Sequence, residues 1–227
     1  MKPNRLKQVM AEGRVPVGHM VLEFGTRGIA QILEVTGVDF VVVDMEHSGF
    51  TAADIADLLA WFKLTRVAPF ARAIVGAVKY APLGKRGVAI GTANTDFRSV
   101  NPEEFMKYAN ENSSVICQIE SREGLDNLEG IASVEGVDVL WVGQSDLSHS
   151  LGIAGQFHHP SFIDALKQVV DAADRHALGA AIQPGNLTQT QEWLKMGFNV
   201  ISYSGDLFFY RDALTQAVTD VRKLAGG

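Results

Sequence analysis

The chain has 227 residues, a little short of the roughly 250 typical of an eight-unit α/β barrel. Apolar residues make up 47% and charged residues 20%, which excludes long disorder and fibrous repeats. A net charge of −6 without any basic run excludes a nucleic-acid or anionic-membrane surface. Cys117 is the single cysteine, so no intramolecular disulfide forms, and a reducing, cytoplasmic setting is expected. The N-terminal MKPNRLKQVMAEGRVPVG has no uninterrupted apolar core and does not read as a signal peptide. No run of about 18 apolar residues is present to span a bilayer.

Taken in chain order, strands are predicted at Val17–Leu22, Phe40–Asp44, Val67–Arg72, Val115–Glu120, Val139–Gly143, Ala180–Gln183 and Val200–Tyr203. Each is apolar on both alternating positions, as strands covered on both faces are. Helical patterns lie between them. Ile29, Ile32 and Leu33 stand at i, i+3, i+4, and Ile55, Leu58, Leu59 and Phe62 continue to i+7. Asn101 before Pro102 marks a helix start, and Ile74–Tyr80 reads as helix directly after the third strand. Val88–Thr92 is a poor eighth strand because Gly87 and Gly91 weaken it, so the count is seven.

A weak repeat supports this alternation. Gly37-Val-Asp-Phe-Val, Gly136-Val-Asp-Val-Leu and Gly197-Phe-Asn-Val-Ile each read as a helix-ending glycine, a polar turn residue and a new strand. Their separations fit about three and two units of roughly 30 residues, a normal βαβ period. The pattern predicts a parallel sheet, closed as a barrel or doubly wound. Without a G-x-G-x-x-G after the first strand or a phosphate-binding P-loop, one (β/α)-barrel domain over residues 1–227 is favoured.

In such folds reactive groups collect where strands end. The second strand ends in Asp44-Met-Glu46-His47-Ser48, the third in Arg72, the fourth in Gln118-Ile-Glu120, and the fifth leads into Gln144-Ser145-Asp146. Asp44 or Asp146 alone could cap the next helix, and Arg72 alone could be a structural ion pair. Glu120 closes an apolar strand and must be paired, protonated or bound to a cation. Glu120 and Asp146 on consecutive strands suit a hard dication with open positions, Mg²⁺ or Mn²⁺. Asp44 could orient the His47 imidazole, and Arg72 could face an oxyanion. No lysine closes a strand, so a Schiff-base amine has no candidate. His158-His159 could be a metal pair, but adjacent residues seldom converge on one ion and His159 reads more readily as preceding a helix. Trp61 and Trp193 sit at core spacing, Leu83–Gly87 resembles an anion-binding loop but reads more readily as a turn, and Phe208–Tyr210 open the last helix as a candidate subunit contact.

At these residues the chain resembles the HpcH/HpaI aldolases, class II metal-dependent pyruvate aldolases acting on 4-hydroxy-2-oxo acids and 2-keto-3-deoxy sugar acids. The motifs are Asp44-x-Glu46-His47-Ser48, Ala-Pro-Phe before Arg72, Tyr80-Ala-Pro-x-Gly84-x-Arg86-Gly87, Gln118-Ile-Glu120 and Gly143-x-x-Asp146-Leu147, in family order from about Val15 to Leu224. The resemblance implies that Glu120 and Asp146 hold Mg²⁺ or Mn²⁺, with Co²⁺ as a further candidate. Pyruvate would chelate the ion, and the amides around Ser145 and Asp146 would receive its carboxylate. Arg72, with Gln118, would stabilise the enolate oxygen, and His47 with Asp44 would assist proton transfer. It also implies a homo-oligomer, often a hexamer, whose dimers exchange the last helix, here about residues 206–224. Two departures stand out. Gln144 occupies a position where proline is common, and about one βα unit is missing after Arg72. Two further readings remain: a catalytically impaired barrel serving as a binding or oligomer-partner protein, and an acyl-CoA lyase of the wider superfamily.

Overall fold

The computed structural model describes residues 2–71, 79–92 and 95–225. All seven predicted strands form: β1 (Val17–Val21), β2 (Phe40–Val43), β3 (Ala68–Ala71), β4 (Ile116–Ile119), β5 (Val139–Val142), β6 (Gly179–Ile182) and β7 (Val200–Gly205). They pair in parallel in the order β3-β2-β1-β7-β6-β5-β4. The pairing of the first strand with the last curls the sheet into a TIM-like half-barrel. It does not close among the described residues, because β3 and β4 pair with no strand on their outer edges. Residues 88–92 form no strand. The predicted helix at Ile74–Tyr80 lies outside the described residues except for Lys79 and Tyr80, which are not helical.

The helices are α1 (Arg5–Ala11), α2 (Ile29–Thr36), α3 (Ala52–Phe62), α4 (Pro102–Asn112), α5 (Arg122–Asp126), α6 (Leu128–Ala132), α7 (Gln144–Ser150), α8 (Pro160–Arg175), α9 (Leu187–Met196) and α10 (Asp206–Leu224). Strand alternation sorts the core into layers. Val139 and Trp141 of β5 point into the curl with Phe40, Ala181, Val200 and Leu6. Leu140 and Val142 point outward against Phe162, Leu166 and Val169 of α8. Gly18 of β1 is part of this packing. A Cβ there would lie 2.3 Å from the Phe40 ring, so the missing side chain lets Phe40 fill the interior.

The glycine repeat has a shared physical role. Gly37, Gly136 and Gly197 are left-handed, with φ of 85°, 93° and 115°. The polar residue two positions later then clamps the neighbouring strand twice. Asp39 donates its N–H to the Val17 carbonyl at 2.7 Å and accepts the Val17 N–H at 3.1 Å. Asp138 does the same to Val115 at 2.9 and 2.8 Å, and Asn199 to Ala180 at 3.0 and 2.9 Å.

α10 is exposed along nearly its whole length, with Phe209 at 50% and Val221 at 64%. Its root is anchored. The buried Asp206 carboxylate accepts the N–H groups of Leu22, Glu23 and Phe24 at 3.0, 3.1 and 2.8 Å. Phe209 packs on Tyr203, and Tyr210 packs edge-on against Phe24.

The clamp is measurable. Asp138→Ala, which strands the Val115 N–H, should lower the unfolding free energy by about 1–3 kcal/mol in urea denaturation. Asp138→Asn keeps an acceptor oxygen and should cost less.

Candidate active site

The C-terminal rim of the sheet gathers the polar residues. β2 runs into Asp44, 3% exposed. Its Oδ1 accepts the backbone N–H groups of Glu46 at 2.7 Å and His47 at 3.3 Å, while the Ser48 hydroxyl donates to the Asp44 carbonyl. This is an Asx turn, in which a short carboxylate ties down its own loop. The expected Asp44–His47 dyad is therefore made through the backbone: Asp44 fixes the loop that carries the imidazole, not the ring. The ring is exposed, with Nε2 3.9 Å from the Glu46 carboxylate. The capping readings are also corrected. α3 is capped by Thr51 and Asp54 in a capping box, and α7 starts at Gly143 with no side-chain cap.

β3 ends at Ala71, and the next residue, Arg72, lies outside the described residues. On the other side, Gln118 pairs with Trp141 and Ile119 with Val142, which brings Glu120 beside Gly143. A Cβ on Gly143 would meet the Glu120 Cβ at 2.8 Å and Oε2 at 2.9 Å. The Glu120 side chain thus occupies space that only glycine leaves open. Gln118 Nε2 donates to the same Oε2. Three residues beyond Gly143, Asp146 stands exposed in the first turn of α7, next to Ser145.

A cavity of about 610 Å³ unites these pieces. Asp44, His47, Gln118, Ser145 and Asp146 all line it, as do Ala71, Gly143 and Trp141. Glu120 is not in the lining itself but abuts Gly143, which is. Cys117 also faces the cavity. Burial pushes its thiol up, which keeps it protonated and a poor nucleophile. Sequence reasoning passed over Gln183, which lines the cavity at the end of β6. The strand-end criterion that selected Gln118 would have found it. Among the described residues no group of three or more His, Cys, Asp or Glu side chains assembles as a metal cage.

The lysines keep to their expected places. Lys79 is buried, but Nζ donates to the carbonyls of Asn110 at 2.6 Å and Ser113 at 2.5 Å at the end of α4, and lies 3.9 Å from Asp138 just before β5. It sits at the rim opposite the cavity. Burial lowers its pKa, the nearby Lys7 adds to this, and Asp138 opposes it. His159 caps α8, its Nδ1 accepting the Ser161 N–H, and His158 pairs with Glu192 at 3.6 Å.

The Asx turn separates two roles for Asp44. Asp44→Ala should cost about 1–3 kcal/mol of stability in urea, whereas Asp44→Asn retains an acceptor for the loop amides and should cost under about 1 kcal/mol.

Comparison with known proteins then identifies the group to which this architecture belongs. The model of the family described as HpcH/HpaI aldolase/citrate lyase matches residues 24–213. A 2-keto-3-deoxy-L-rhamnonate aldolase of Escherichia coli is 28% identical over 253 residues, covering 94% of this chain and 91% of that protein. The crystal structure of an HpcH/HpaI aldolase from Desulfitobacterium hafniense superposes with a TM-score of 0.88 at 26% identity, covering 96% of each chain. A more distant likeness, in fold alone, is a citrate lyase beta subunit from M. tuberculosis complexed with oxaloacetate and magnesium, at 13% identity and a TM-score of 0.52, covering 85% of this chain and 92% of that one. The chain belongs to the HpcH/HpaI aldolase/citrate lyase family and is a carbon–carbon lyase.

Proposed function

We propose that the chain cleaves a 4-hydroxy-2-oxo acid, the 2-keto-3-deoxy sugar acids included, into pyruvate and an aldehyde, and runs the reverse condensation. One observation carries the reading: a single cavity at the C-terminal rim is lined by Asp44, His47, Gln118, Ser145 and Asp146. The substrate named for the E. coli relative belongs to the same chemical class.

Glu120 and Asp146 are the residues that would hold a divalent ion, Mg²⁺ or Mn²⁺, with Co²⁺ as a further candidate. The donor set fits. It offers carboxylate oxygens alone, one of them cradled over Gly143, and a hard dication takes one or two carboxylates and leaves its other positions to water or substrate. When bound, such an ion supplies positive charge against the keto and carboxylate oxygens of the substrate.

The chain's own groups supply the remaining steps. His47 takes the proton of the 4-hydroxyl as the C3–C4 bond breaks. The electron pair of that bond becomes the C2–C3 double bond, and negative charge arrives on the keto oxygen. Arg72, one residue beyond the cavity-lining Ala71, donates to that oxygen together with Gln118. The backbone N–H groups at Ser145 and Asp146 receive the carboxylate of the acid. C3 then takes a proton to complete pyruvate. Asp44 acts by holding the His47 loop. Oxaloacetate decarboxylation passes through the same enolate and is an expected side activity.

The assembly follows the same reading. α10 carries Phe209, Leu214, Val218 and Val221 exposed, and we take it as the helix exchanged with a neighbouring copy in a homo-oligomer. We take the open edges of β3 and β4 among the described residues as the place of a missing βα unit. The 253-residue alignment to the E. coli relative, longer than the 227-residue chain, supports this.

EDTA should abolish pyruvate release from a 4-hydroxy-2-oxo acid, and Mn²⁺ should restore it; full activity in EDTA would refute the metal role. Glu120→Ala should weaken Mn²⁺ binding, measured by calorimetry, by at least about 100-fold. Gly143→Ala, which pushes the Glu120 carboxylate aside, should weaken it by about 10–100-fold. Arg72→Ala should keep the metal and lower kcat by about 10²–10³. Tight Mn²⁺ binding without turnover would favour the binding-protein alternative.

A further inference from the structure

Two cavity-lining glutamines, Gln144 at the start of α7 and Gln183 at the end of β6, have no part in the catalysis proposed above. Their amides are fixed in a chain. Gln144 Nε2 donates to the Gln183 carbonyl, and Gln183 Nε2 donates to the Ser204 carbonyl at 3.0 Å. Ser204 is held in the left-handed region at φ 54°, with its own N–H on the Pro184 carbonyl at 3.3 Å. A backbone carbonyl only accepts, so each contact must be made by the NH₂ end of the amide, and each Oε1 is left over as an acceptor. Neither Oε1 is bonded to another described residue, and neither is a buried atom without a partner, so both keep accessible surface. The same cavity is lined by Asp44 and Asp146.

Resting on the aldolase reading, we infer that Gln144 and Gln183 form an acceptor wall that selects the aldehyde half of the substrate: an uncharged fragment bearing hydroxyl groups. Hydroxyls can donate to the two amide oxygens. A second carboxylate has no hydrogen to donate to these acceptors, and a plain alkyl group would leave both oxygens unpartnered once water is displaced. A site that hydrogen-bonds a substrate hydroxyl discriminates against the analogue lacking it.

The test compares kcat/KM, with Mn²⁺, for three substrates: a 2-keto-3-deoxy sugar acid, 4-hydroxy-2-oxopentanoate, whose aldehyde half carries no hydroxyl, and the dicarboxylate 4-hydroxy-2-oxoheptanedioate. The wild type should prefer the sugar acid, and Gln144→Leu should reduce that preference about tenfold. Gln144→Met serves as the second variant if Gln144→Leu fails to fold. In parallel, Trp141, which lines the cavity, reports binding through its fluorescence. With pyruvate and Mn²⁺ present, glyceraldehyde should bind more tightly than propanal of similar size, and the variants should narrow the gap. Preference for the dicarboxylate or the plain substrate, equal binding of the two aldehydes, or an unchanged preference in the folded variant would overturn the inference. If no substrate is cleaved while glyceraldehyde still binds in preference to propanal and the variants lose that preference, the aldolase reading fails and the acceptor wall stands. If all three substrates are cleaved without discrimination, the aldolase reading stands and the wall fails.

Discussion

The parallel register of the sheet is set at one rim and used at the other. Asp39, Asp138 and Asn199 each grip the neighbouring strand by one donated and one accepted hydrogen bond. Each strand rises about 3.3 Å per residue, and a slip of one residue turns every side chain to the opposite face. The clamp between Asp138 and Val115 therefore decides, five residues later, that Glu120 meets Gly143. A slip of one position would send Glu120 toward the α8 layer and bring Ile119 into the mouth of the cavity. The site is in this sense a consequence of the turn repeat, although no residue of the repeat belongs to it.

That dependence explains how much could be read in advance. The seven strands were legible because strands covered on both faces are apolar at every position, and the helix caps Asn101 and Gly197 announce their elements by simple stereochemistry. The strand-end rule picked out Asp44, His47, Gln118, Ser145 and Asp146, which line one cavity, together with Glu120, which does not line it, and Arg72, which lies outside the described residues. Other features depend on through-space partners that spacing cannot show. The Asp44 carboxylate turned to backbone amides two and three residues on, a choice set by loop conformation. Gln183 gained its place through the carbonyl of Ser204, which belongs to another strand. The seam between β3 and β4 is a matter of closure, which the period of a sequence pattern does not determine.

Charge is distributed along the same axis. In a parallel α/β fold the helices after the strands point their N-termini toward the cavity rim and their C-termini away from it. The macrodipoles therefore favour anions at the first end and cations at the second. The cations obey. Lys2 donates to the carbonyls of Phe62 and Val67 at 2.7 and 3.0 Å, and Lys79 to those closing α4. Arg5 and Lys7 pair with Asp39 and Asp138, the clamp residues themselves. Lysine amines at this rim are committed to carbonyls and carboxylates, whereas Asp44, Glu120 and Asp146 stand at the other.

The accumulation of carboxylates at the cavity rim bears directly on the chemistry. Helix N-termini contribute partial positive charge, about half an elementary charge per helix end. Cleaving a carbon–carbon bond next to a keto group then places further negative charge in the same space. Acidic residues are a poor environment for that charge unless cations share it, as the proposed Arg72 and dication would, because like charges a few ångströms apart repel strongly in a partly desolvated site. Carboxylates that would be a liability for an enolate alone become ligands once a dication is present. The glycine at 143 is what allows one of them to lie close along the strand end, and a side chain there would remove the space without removing the charge.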